Sequence, residues 1–138
     1  MAQLANYLHF NGNCQEAMTY YQSCLGGELT LQRISESPIA DQCPAGIQHQ
    51  ILHGTLQNGS LVVMASDMIA PGKPYQVGNH IALSLACDSE DQLRSLFDKL
   101  SAGGNIMDPV RVQFWGAVFG FCEDRYGFRW MLHYQLPA

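Results

Sequence analysis

The chain has 138 residues, 47% apolar and only 14% charged, enough for one compact domain or two half-domains sharing a core. Its net charge of −5 and seven scattered cations exclude a nucleic-acid binder, because no basic patch is present to neutralise phosphates. Sparse charge beside six Tyr, six Phe and two Trp instead suggests that much surface is buried, as in a subunit interface.

The five cysteines (Cys14, Cys24, Cys43, Cys87 and Cys122) form no C-x-x-C, and their odd number fits reduced thiols in the cytoplasm. The opening residues lack the basic and apolar regions of a signal peptide. No run is long enough for a membrane span, and no membrane partner is expected.

Taken in order, residues 4–10 read as a strand. Asn13 is the expected cap of a helix, with Glu16 three residues on to reach back. Cys14, Ala17, Met18, Tyr21 and Leu25 recur at helical spacing and form its buried stripe. Gly26-Gly27 stops it, because glycine accepts the left-handed backbone of a helix terminus. A strand over 28–35 leads into a loop over 36–46. Strands over 49–57 and 60–65 are joined at Asn58-Gly59, a strong hairpin signal.

Residues 67–78 carry Pro71, Gly72 and Pro74 and have linker composition. A second pass then begins. Residues 79–87 alternate as a half-buried strand, and Ser89 with Gln92 caps a helix whose stripe is Leu93, Leu96, Phe97 and Leu100. Gly103-Gly104 ends it. Strands follow over 105–112, 116–123 and 128–134, the last two flanking a turn at Asp124-Arg125-Tyr126-Gly127.

The order is βαβββ, twice: one module over 1–68, a linker over 69–78, a second module over 79–138. Neither half is long enough to bury its own sheet face, so the two copies are expected to build one compact domain. The predicted class is α+β, a curved mixed sheet with helices on one side and a cavity on the other.

Several pieces together resemble the vicinal-oxygen-chelate superfamily of glyoxalase I, bleomycin-resistance proteins and extradiol dioxygenases, and within it the PhnB-like family. They are Tyr7-Leu8-His9-Phe10-Asn11-Gly12-Asn13, Glu16-Ala17, Tyr20-Tyr21, Leu25-Gly26-Gly27-Glu28, Ser66-Asp67-Met68, Phe114-Trp115-Gly116 and the stretch from Asp124 to Trp130. The resemblance covers nearly the whole chain. It implies paired βαβββ modules, frequent homodimers, and a divalent metal (Zn, Ni, Fe or Mn) on inward strand positions.

By that resemblance the third-strand ligand position falls on His53 and the fifth-strand position on His80. The eighth-strand position, normally Glu, falls on Met131, which suits only a soft ion such as copper(I). The first-strand position depends on register. Counting back from the helix gives Asn6, whereas alternation turns Tyr7 and His9 inward and sends Leu8 and Phe10 to the core. A one-residue bulge near Gly12 would reconcile the two.

Parity on the last strand places Arg129, Met131 and His133 together. His53, His80 and His133 are then candidate metal ligands, against the reading that they are ordinary cavity histidines bonded to water and hydroxyls. Tyr7, His9, Trp115, Arg129 and Met131 are the candidate ligand pocket. Trp115 would stack on a flat ligand or serve as a dimer contact. Arg129 would neutralise an anion or stand as a rim charge. Cys87 and Cys122 lack His-Asp partners in motif order and read as buried thiols. No phosphate loop, nucleophile elbow or S-adenosylmethionine-binding glycine loop appears. Two functions therefore remain: a small-molecule-binding protein, or a metal-dependent lyase, isomerase or dioxygenase in which the metal chelates two neighbouring substrate oxygens.

Overall fold

A computed structural model describes residues 2–68 and 73–138. The chain divides into two compact units, Met1–Tyr75 and Gln76–Ala138. Residues 69–72 of the expected linker lie outside the described residues.

The first unit runs β1 (Tyr7–Phe10), α1 (Cys14–Leu25), β2 (Glu28–Arg33), β3 (Ile51–Asn58) and β4 (Leu61–Asp67), with three short 3-10 turns between β2 and β3. The second runs β5 (Leu83–Ala86), α2 (Glu90–Ser101), β6 (Asn105–Val112), β7 (Ala117–Glu123) and β8 (Arg129–Gln135). Each unit holds one four-stranded mixed sheet, ordered β1-β4-β3-β2 and β5-β8-β7-β6. In each, the first strand pairs parallel with the last and the other pairs are antiparallel. The duplication predicted from the sequence is therefore present, as two separate sheets.

One helix covers one face of each sheet. Helix α1 buries Cys14, Ala17, Met18, Tyr21, Cys24 and Leu25, the expected stripe with Cys24 added. Helix α2 buries Leu93, Phe97 and Leu100, while Leu96 stays half-buried. Opposite them lie Leu8, Phe10, Leu56, Val63 and Ala65 in the first unit, and Val118, Cys122, Trp130 and Leu132 in the second. Each large side chain removed from water here contributes about 1.5–3 kcal/mol. At matching places on the third strand of each unit, Gly54 and Gly120 admit the neighbouring side chains. A methyl group at Gly54 would lie 2.7 Å from Leu31, and one at Gly120 would lie 2.8 Å from the Phe97 ring.

Four local expectations are corrected. The end strands are shorter than predicted, beginning at Tyr7 and Leu83, where pairing with Met64 of β4 and Trp130 of β8 starts. His80 thus precedes β5 and is exposed. Asn13 sits at the start of α1 without a side-chain capping bond; the buried Asp67 carboxylate at the end of β4 accepts the Cys14 N–H at 3.0 Å instead. Its other oxygen accepts the Ile51 N–H at 2.8 Å, fastening the start of β3.

The hairpin turn centres on Gly59-Ser60, one residue later than expected, since Asn58 pairs with Leu61. Only Gly59 has positive φ (61°), as a II′ turn requires. Finally, β1 pairs with β4 without the expected bulge, and Gly12, with φ 88°, lies in the turn between β1 and α1.

The second helix follows its prediction: Ser89 Oγ accepts the Gln92 N–H at 3.0 Å, and Gln92 Oε1 accepts the Asp88 N–H at 2.7 Å. Among the described residues no helix is long and apolar enough to cross a membrane.

Candidate functional site

Burying Leu8 and Phe10 under α1 forces Tyr7 and His9 onto the opposite, helix-free face of the first sheet, because side chains alternate along a strand. The same parity places His53 and Thr55 there from β3, and Met64 and Ser66 from β4. Pairing aligns these residues in two rows. Tyr7 and Thr55 both stand opposite Met64, and His9 stands opposite Ser66.

A hydrogen-bonded line crosses this face. Tyr7 Oη lies 3.0 Å from His53 Nδ1, and Thr55 Oγ1 lies 3.2 Å from His53 Nε2. Both ring nitrogens of His53 are therefore engaged by hydroxyls. Ser66 Oγ approaches His9 Nδ1 at 3.5 Å, and the rings of Tyr7 and His9 are 5.4 Å apart. Tyr75 donates its hydroxyl to the His9 carbonyl at 2.8 Å, tying the chain after β4 back to β1.

The helix-free face of the second sheet is different in kind. Phe119, Phe121 and Glu123 come from β7, and Arg129, Met131 and His133 from β8. Phe121 pairs with Met131, Phe119 with His133 and Glu123 with Arg129. The Trp115 ring stands 6.2 Å from Phe119 and is 51% exposed, so the indole continues the aromatic row beyond the strand. Arg129 is not a free cation: Nη2 lies 3.4 Å from Glu123 Oε2, and the guanidinium stands 5.8 Å from the centre of the Phe121 ring. Ser84 on β5 reaches His133 Nδ1 at 3.5 Å.

Sequence parity thus located Tyr7, His9, His53, Arg129, Met131 and His133 on helix-free faces. It gave no role to Ser66, Phe119 or Phe121, although their alternation with Ala65, Val118 and Cys122 was a usable signal. Thr55 shares the face of His53 by the same parity, but no sequence pattern carries the bond between them.

Cys14, Cys87 and Cys122 are buried and supply no nucleophile. Burial pushes the thiols of Cys14 and Cys122 up to about 12, with the charges of Asp67 and Asp124 adding to the effect. Burial, with Asp88 adding, pushes Cys87 up to about 11. Such thiols stay protonated at neutral pH and do not attack.

A family profile described as the glyoxalase/bleomycin resistance protein/dioxygenase superfamily matches residues 3–132. The chain belongs to that superfamily. It is 35% identical to Protein YjdN of Escherichia coli (strain K12), over 94% of this chain and 93% of that protein. It also resembles the crystal structure of protein PA1353 from Pseudomonas aeruginosa, at 37% identity and a TM-score of 0.87, covering 99% of this chain and all of that one. A PhnB protein from Bacillus cereus shares the fold at 24% identity and a TM-score of 0.74, over 96% of this chain and 99% of that one.

Members of this superfamily often bind divalent metals. The donor set here is a poor fit. Met131 occupies the place where the family resemblance implies Glu, which removes both an oxygen ligand and a negative charge. His53 already has hydroxyl partners on both nitrogens. Among the described residues no three His, Cys, Asp or Glu side chains gather as a ligand set.

Proposed function

We propose that the protein is a small-molecule-binding member of its superfamily that holds a ligand on the helix-free faces of its sheets. The observation that carries this reading is the surface of Phe119, Phe121 and Met131, extended by Trp115, which the second unit leaves off its core. A flat apolar ligand gains affinity on such a surface from burial and ring stacking. Arg129, already neutralised by Glu123, positions the Phe121 ring instead of drawing in an anion.

Calorimetric titration with a panel of small aromatic compounds tests the reading, with Trp115 emission as a second readout. Binding that quenches Trp115 and weakens about tenfold or more in Phe121→Ala supports it. A panel without heat or quenching removes it. Tag-free protein carrying stoichiometric zinc, nickel or iron that is lost in His80→Ala would instead favour the metal-dependent lyase, isomerase or dioxygenase.

We also read the protein as a homodimer. Support comes from Ile106, Met107 and Val112 on the edge strand β6 and from Phe114 beyond it, all exposed apolar residues. Sedimentation of a single monomeric species would remove that part.

A further inference from the structure

The Tyr7–His53–Thr55 line has a property that follows from counting protons. A neutral imidazole carries one N–H donor and one bare acceptor nitrogen. If Tyr7 donates to Nδ1, then Nε2–H donates to Thr55 Oγ1, and Thr55 keeps its own proton to offer outward while Tyr7 offers only lone pairs. In the other tautomer the roles reverse. At any moment one end of the line is a donor to the face and the other end an acceptor. The imidazole couples the two ends.

Charge and shape narrow what such a line recognises. The strands put no Lys or Arg on this face: its side chains include Tyr7, His9, His53, Thr55, Met64 and Ser66, with Thr30 and Gln32 from β2 and Glu28 at its start. An anionic ligand finds no counter-charge there. Between the two hydroxyls lies Met64, the pairing partner of both Tyr7 and Thr55, a thioether floor suited to the flat side of a ring.

We infer that the helix-free face of the first sheet binds a neutral flat ligand with a hydrogen-bond donor at one end and an acceptor at the other, read by Tyr7 and Thr55 through His53. This inference rests on the reading that the helix-free faces hold small molecules, and it makes His53 a specificity-determining residue instead of a metal ligand. The ligand's ends must be separated by the width of an imidazole and its two hydrogen bonds, which points to substituents placed across a ring.

Three probes of one shape test it. 4-Hydroxyacetophenone has a donor and an acceptor, 4-methoxyacetophenone has acceptors only, and 4-ethylphenol has a hydroxyl at one end and none at the other. The first is expected to bind about tenfold more tightly than either of the others, the worth of one well-made hydrogen bond. Tyr7→Phe and Thr55→Val should each erase that preference while leaving the far-ultraviolet spectrum and unfolding midpoint in place. Imidazole nitrogen shifts of His53 should report a single tautomer once the first probe is bound.

Equal affinity for the three probes overturns the inference, as does a preference that survives both substitutions. If none of the three binds while other aromatic compounds quench Trp115, this inference falls and the broader reading stands. If nothing binds, both fall.

Discussion

The two modules share strand order, helix placement and a parallel pairing of first and last strands, yet they anchor that frame differently. In the first, the buried Asp67 joins parts distant in sequence, the start of α1 and the start of β3. In the second, the buried Asp124 works locally. Its Oδ1 accepts the Tyr126 and Phe128 N–H groups at 2.8 and 3.1 Å, and its Oδ2 accepts the Trp130 indole N–H at 2.8 Å.

The helix-free faces diverge as well, hydroxyl and imidazole on one sheet, aromatic and thioether on the other. The fold therefore constrains the helix-facing side, where volume must be filled, and leaves the anchor and the open face free to differ.

The largest expected effect tests the anchors. Asp124→Ala removes the acceptor of three N–H donors, among them the buried Trp130 indole, and is expected to cost about 3–4 kcal/mol. Asp67→Ala strands two and should cost about 2–3 kcal/mol. Urea unfolding of both variants measures the difference. An Asp67 variant that loses more would mean that long-range closure, not the number of bonds, decides an anchor's worth.

Much of the frame was readable before any coordinates. The span over 105–112 matches β6, whose pairing with β7 reaches from Asn105 to Val112 across two register shifts. The end strands failed at residues 4–6 and 79–82, which have the composition of a strand but make no ladder pairs; where an edge strand starts is a matter of pairing, which its own composition does not set.

Asp67 was read as the start of a linker. Its role depends on Cys14, more than fifty residues away, and no local pattern carries that information. For the candidate site, parity alone found the correct faces. It could not find that His53 spends both nitrogens on hydroxyls, since Tyr7 lies on another strand and meets the ring only after β1 pairs with β4.

A smaller effect separates the paired glycines. Gly120→Ala pushes a methyl group against the Phe97 ring at 2.8 Å and Val110 at 2.7 Å, under a helix with little room to move. It should cost about 2–3 kcal/mol by overpacking. Gly54→Ala meets the far end of Leu31, a half-buried chain that can rotate aside, and should cost about 1 kcal/mol or less. Equal losses would show that Leu31 on β2 is held as rigidly as the Phe97 ring of α2.

The smallest contrast lies at the helix starts, where the two sequences look alike and the structures do not. Ser89 holds the Gln92 N–H itself, so Ser89→Ala removes the bond outright and should cost about 1 kcal/mol. The Asn13 side chain caps no N–H of α1, and the Asp67 carboxylate serves the Cys14 N–H. Asn13→Ala should accordingly cost only a few tenths of a kcal/mol. The informative variant is the double change Asn13→Ala with Asp67→Asn. If Asn13 stands ready as a substitute cap, the pair loses more than the sum of the singles. If the losses add, the first helix takes its capping from β4 alone, and the second module keeps within its own sequence what the first obtains only through tertiary contact.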